Sequence, residues 1–336
     1  MKSDRKAAIK KLKNLVLTPK MDPDDYCRNL EETFSSVFLP NNVEYTERNI
    51  NGVKCDVISP VVYSSRRIII YVHGGSFVGG SCNSYRNFCA SLANATSCRI
   101  VVPDFRKAPT HAFPASIDDL VAVFRAIYEE ETVARSLEAS ASHLSPSESH
   151  AQIIVAADGS GASMAMAVVL KINKKYRNNI QTLLLFSPWL DLTSDNPLIA
   201  GKKVSDEILS GASLHRAVDM YTYATNIQNP YVSCLQAPNE DFEQFPPVFI
   251  QMGGKEILVQ QARQLKEKLA AVNVECILDI WPDMMFMFQM ADEFLPESHL
   301  AIEKAGKYIM QREAETDAER EEREAILRKN NIALGE

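Results

Sequence analysis

Two short segments of the chain carry residue types that suit acyl chemistry. His73-Gly74-Gly75-Ser76-Phe77 follows directly on the apolar run Arg67–Val72. Glycines placed there let backbone N–H groups face a developing negative charge, although the same residues also describe a plain glycine turn. The second segment runs from Ile153-Ile154-Val155-Ala156-Ala157 into Asp158-Gly159-Ser160-Gly161-Ala162. A sharp strand-to-helix turn that presents a nucleophile needs small residues two positions either side of its tip. Around Gly159 those are Ala157 and Gly161, which fit; around Ser160 they are Asp158 and Ala162, and Asp158 fits poorly. The register therefore puts glycine at the tip.

The bulk numbers narrow the classes around these segments. The chain has 336 residues, is 46% apolar and 24% charged, and carries a net charge of −7. It is too apolar for disorder, and its acidic balance argues against nucleic acid as a partner. No apolar run approaches the ~20 residues of a membrane span, and Met1–Lys20 lacks the apolar stretch of a secretory signal. Seven scattered cysteines without a Cys-x-x-Cys pair point to reduced thiols and a cytoplasmic setting. The six histidines show no metal-ligand spacing, so neither a metal nor another cofactor is expected.

The elements that must position the two segments can be read from periodicity. Residues 1–40 describe two amphipathic helices parted near Pro19–Pro23. Val43–Glu47 and Lys54–Ile58 flank Asn51-Gly52, a hairpin signal. Arg67–Val72, Arg99–Pro103, Gln152–Ala156, Thr182–Phe186, Pro247–Met252 and Glu275–Trp281 are short buried-strand runs. Helical stretches over Ser84–Ala95, over Ser116–Glu131 and, after Gln152–Ala156, to about Lys175 alternate with them. Such alternation predicts an α/β fold with a mostly parallel, doubly wound sheet and helices on both faces. Ser136–His150 reads as a surface insertion, and the polar stretch 191–245 as a helical cap.

One further segment, Asp104-Phe105-Arg106-Lys107-Ala108-Pro109-Thr110-His111-Ala112-Phe113-Pro114, lies about thirty residues after the glycine loop. Together with Ser187-Pro188-Trp189 and Phe245–Gly253 it makes the chain resemble the hormone-sensitive-lipase-type carboxylesterases. The resemblance runs from about Val43 to Met310. It implies an α/β-hydrolase core under a helical cap, with His73, Gly74, Gly75 and Ser76 in the oxyanion loop. With the segment reading above, it divides the chain into N-terminal cap helices 1–42, a core of 43–190 and 246–310, a cap insertion 191–245, and a charged C-terminal helix 311–336.

The same resemblance assigns the catalytic positions, and none holds its catalytic residue. The serine of G-D-S-A-G-G aligns with Gly159, leaving Ser160 as the fallback nucleophile. The aspartate of G-x-D-E-x-L aligns with Lys255, where a cation would oppose an imidazolium. The histidine of W-x-x-M-x-H aligns with Phe286 in Trp281-Pro282-Asp283-Met284-Met285-Phe286. His111 reads as structural and His299 as a helix-surface residue rather than a relocated base. Met284, Met285 and Phe286 read either as core packing or as a soft apolar pocket.

Two functions follow as expectations. One is a catalytically degenerate hydrolase-fold protein that acts as a ligand-binding or interaction module, with a small apolar ligand or acyl ester as its partner. The other is a weak carboxylic-ester hydrolase using Ser160 with a non-standard base. A scaffold role through the cap or the tail from Gln311 is a third reading, and a homodimer is compatible with the resemblance.

Overall fold

In the computed structural model, residues 2–35, 39, 42–61, 66–142, 151–193 and 206–312 are described. Eight strands form one sheet in the order β1-β2-β4-β3-β5-β6-β7-β8. They are β1 Val43–Ile50, β2 Val53–Pro60, β3 Ile68–Val72, β4 Arg99–Pro103, β5 Ile153–Asp158, β6 Ile180–Phe186, β7 Val248–Gly253 and β8 Cys276–Trp281. The β1–β2 and β2–β4 pairs are antiparallel, and every pair from β4 onward is parallel. The α/β reading and the hairpin at Asn51-Gly52 therefore hold. Strands β3, β5 and β7 are buried throughout, which explains why they read as continuous apolar runs and not as alternating ones.

Helices cover both faces because crossovers between parallel strands return over the sheet. They are α1 Lys2–Leu12, α2 Pro23–Phe34, α3 Cys82–Thr96, α4 Ala115–Ser142, α5 Gly159–Lys171, α6 Lys174–Arg177, α7 Gly211–Tyr221, α8 Val259–Ala271 and α9 over 296–312. Local chemistry sets several of their starts. Pro23 follows Asp22, whose carboxylate accepts from the N–H of Asp24 at 2.9 Å. Ser81 with Ser84, and Ser210 with Ser213, close reciprocal caps on α3 and α7.

Two differences from the sequence reading have physical causes. Helix α4 runs on to Ser142, so the first half of the expected insertion Ser136–His150 is helical; 143–150 lie outside the described residues. Ser and Ala suppress apolar periodicity there without preventing a helix. Helix α5 stops at Lys171 because Asn173 begins a new helix, accepting from the N–H of Tyr176. Of the tail from Gln311, only Gln311 and Arg312 are described, as the end of α9; of the stretch 191–245, 194–205 lie outside the described residues. No helix among the described residues is long and apolar enough to cross a membrane.

Candidate functional site

The loops that follow β3, β5, β6, β7 and β8 meet at the carboxyl edge of the sheet, where open α/β sheets gather their ligands. At their centre is Gly159, first residue of α5, with φ +46°. That left-handed turn strains any side chain, and a Cβ added at Gly159 would lie 3.1 Å from Cζ of Phe286. The turn also packs tightly against the β3 loop: a Cβ at Gly161 would come within 2.2 Å of the Val72 carbonyl oxygen. Only glycine fits there.

Ser160 lies one residue into the helix, nearly buried, and its Oγ accepts the N–H of Phe77 at 3.1 Å. No imidazole or carboxylate is hydrogen-bonded to it among the described residues. The glycine loop opposite holds Gly75, Ser76 and Phe77 at φ +105°, +53° and +63°. The N–H groups of Gly75 and Ser76 have no hydrogen-bond partner among the described residues.

Asp158 anchors that loop from below. Its carboxyl accepts from Gly74 N–H at 2.9 Å, Tyr71 Oη at 2.9 Å and Tyr85 Oη at 3.0 Å. Burial pushes its pKa up to about 7 against the pull of these three donors. His73 is also buried, stacked between the rings of Phe105 (centroids 4.4 Å apart) and Tyr85 (5.2 Å). Its Nδ1 meets the Gly74 carbonyl oxygen at 2.8 Å, while burial, then Lys107, lowers its pKa to about 4. A neutral imidazole fixed in this way holds the loop and does not reach a nucleophile.

Lys255 and Glu256, neighbours in sequence, face opposite ways. The Lys255 side chain is at the surface, 3.6 Å from Asp283. Glu256 is buried, where Ser187 Oγ donates to its Oε1 at 2.8 Å and Gly253 N–H donates to the same oxygen. Ser187 Oγ in turn accepts Met287 N–H at 3.1 Å. Burial drives the Glu256 carboxyl well above its ordinary range. The network thus ties the ends of β6 and β7 to the loop that carries Phe286.

A cavity of about 20 Å³ remains between these loops, lined by Gly75, Ser76, Gly159, Ser160, Phe286 and by Leu15 and Val16. Met284 and Met285 are buried but do not line it. Its roof comes partly from the N-terminal segment, whose Leu17 N–H donates to Ser76 Oγ at 3.1 Å, and partly from Leu209, Ser213 and Leu214 at the start of α7. Tyr26 donates to the Leu15 carbonyl oxygen at 2.8 Å, holding the same segment to α2. His111 and His299 are exposed, the latter 3.2 Å from Glu303 on α9. No cluster of metal-ligating side chains occurs among the described residues.

Sequence reasoning missed the Leu15–Val16 roof and the Ser187–Glu256 tie. Nothing local in the sequence links residue 17 to residue 76. The two tyrosines on Asp158 left a fainter signal, Tyr71 being the one polar-tipped residue in an otherwise aliphatic strand.

A family model described as alpha/beta hydrolase fold matches residues 69–290, about two thirds of the chain. An acetyl-hydrolase of Streptomyces hygroscopicus is 26% identical over 72% of this chain and 75% of its own length. An esterase of Acinetobacter venetianus is 29% identical over 71% of this chain and 73% of its own. A crystal structure of an esterase from the bacterial hormone-sensitive lipase family superposes with a TM-score of 0.78 at 25% identity. It covers 92% of this chain and 98% of that one.

Proposed function

The chain belongs to the α/β-hydrolase-fold family, and from that premise we propose that it keeps a carboxylesterase frame without the catalytic residues and serves as a binding or interaction module. One observation carries this reading: the strand-to-helix turn has its left-handed tip at Gly159, and Phe286 faces it. That turn is where an α/β-hydrolase presents its nucleophile. The exposed Lys255 and the apolar Phe286 supply neither the acid nor the base of a triad. Losing the serine or histidine of such a triad costs on the order of 10⁶ in turnover. What an oxyanion loop and binding retain is about 10³–10⁴ over water.

The cavity supports the same reading and qualifies the ligand. Its volume of about 20 Å³ suffices for a water molecule, whereas small-molecule pockets span about 300–1,000 Å³. An apolar ligand or acyl group therefore enters only as part of the lining withdraws, Leu15 and Val16 of the N-terminal segment or Leu209, Ser213 and Leu214 at the start of α7.

A second reading, weak ester hydrolysis through Ser160, draws on the esterase and acetyl-hydrolase relatives. Ser160 does line the cavity beside Gly75 and Ser76. A fluorophosphonate probe separates the two. No labelling of the purified protein is expected. Stoichiometric labelling that disappears in Ser160→Ala would overturn the non-catalytic reading and establish the second.

A further inference from the structure

A second cavity, of about 50 Å³, lies where α1, α2 and α3 meet the turn Phe288–Met290 and the start of α9, away from the loops around Gly159. Asn87 and Gln289 both line it, and Asn87 Oδ1 and Gln289 Oε1 are buried without hydrogen-bond partners. The orientation of Gln289 is fixed by its neighbours. Gln251 Nε2 donates to Asp279 and to the Ala301 carbonyl oxygen, each at 3.1 Å, so Gln251 Oε1 must accept. Gln289 fills that role with its Nε2 at 3.2 Å, which leaves its fully buried Oε1 as the atom over.

Two of the hydroxyls in the wall have no hydrogen left to offer. Thr33 Oγ1 donates to the Asn29 carbonyl oxygen at 2.6 Å and Ser84 Oγ to that of Ser81 at 3.2 Å, so both hydroxyl hydrogens are committed. The mouth carries Asp292 and Glu293 against one cation, Lys11, whose ammonium is already held by both Glu293 oxygens at 2.5 and 2.7 Å. Two carboxylates against one ammonium leave a net negative charge. A buried acceptor without a partner costs about 1–3 kcal/mol, and here two line one space, with the Ser91 hydroxyl and the Asn87 amide N–H groups as the donors nearby.

We propose that this cavity is a binding site for one small monovalent cation, an alkali-metal ion or ammonium, coordinated by the Asn87 and Gln289 amide oxygens with the Thr33 and Ser84 hydroxyls beside them. The volume admits nothing much larger than methylammonium. Because its walls come from α1, α2, α3 and the 288–290 turn, an occupant pins the N-terminal helices to the sheet edge that carries Phe286.

The test is thermal unfolding of the full chain at constant ionic strength, with potassium, sodium or ammonium chloride titrated in place of N-methylglucamine chloride. A saturable rise in Tm of roughly 2 °C or more is expected with at least one of the small cations. Asn87→Leu, which removes an acceptor that has no partner, is expected to match the parent chain in N-methylglucamine and to lose the rise. Sodium-23 line broadening by the parent chain, reversed by excess potassium or ammonium, reports binding directly. Equal Tm in all four salts with no line broadening means ordered water only and overturns the proposal. A rise that persists in Asn87→Leu overturns it as well, because the cation then binds elsewhere.

Discussion

The ring of Phe286 occupies the space into which a side chain at Gly159 would point, its Cζ 3.1 Å from a Cβ built there. The two residues lie 127 positions apart in sequence and on different loops, yet each fills the room the other would need for chemistry. Glycine brings no side chain to this turn, and phenylalanine brings no titratable group.

Gly159→Ser is therefore expected to yield no esterase. At φ +46° the new side chain costs about 1–2 kcal/mol and forces Phe286 to shift. Urea denaturation should show the loss, and turnover of p-nitrophenyl acetate should stay at background. Combining Gly159→Ser with Lys255→Asp and Phe286→His is expected to give fluorophosphonate labelling at position 159. Labelling of the triple variant at Ser160 instead would contradict the register assigned to the turn.

Leu15→Ala should cost about 2–5 kcal/mol, since Leu15 is almost fully buried over the cavity. The same change enlarges the space above Gly159, so the variant is expected to bind an apolar dye such as Nile red that the parent chain excludes. Dye binding by the parent and the variant alike would mean that the roof does not close the site.

Asp158 gives stability a defined pH dependence. Its folded pKa of about 7 stands above the unfolded value of 3.8. Its contribution is then full below about pH 4 and is lost as pH rises through 7, by a few kcal/mol. His73 acts in the opposite sense, because its pKa falls from 6.5 to about 4, so its contribution is lost as pH falls through that value. Asp158→Asn isolates the first effect: the difference in unfolding free energy between parent and variant should change between pH 4 and 7 in the variant's favour. A difference that stays flat across this window would mean that the carboxyl is ionised throughout.

Glu256 should tolerate glutamine better than alanine. Glutamine keeps an oxygen for the Ser187 hydroxyl and the Gly253 N–H, whereas alanine strands both donors in the interior. Glu256→Gln is expected within about 1 kcal/mol of the parent and Glu256→Ala about 3 kcal/mol below it in urea denaturation. Equal losses would show that the network does not hold the loop carrying Phe286.

The sequence made the sheet legible because its central parallel strands are buried on both faces and read as apolar runs, as at Ile68–Val72 and Ile153–Ala157. The turn at Gly159 was legible for a different reason: close packing demands small residues at fixed offsets, and Ala157 and Gly161 meet that demand. What stayed hidden depends on contacts across long sequence separations. The pairing of Leu17 with Ser76 and the path from Glu256 through Ser187 to Met287 join residues that share no periodicity or motif. The smallness of the cavity was hidden too, because an apolar stretch such as Met284–Phe288 looks the same in sequence whether it lines a void or fills one.

Gly161 shows how folding alone can hold a glycine in place beside a candidate site. Its lack of a side chain is enforced by the Val72 carbonyl oxygen, 2.2 Å from where a Cβ would stand, and that demand comes from folding alone. Selection against misfolding would preserve such a glycine whether or not the site does chemistry. A glycine of this kind therefore speaks to packing and not to activity, and a test of activity has to be made at the tip residue instead.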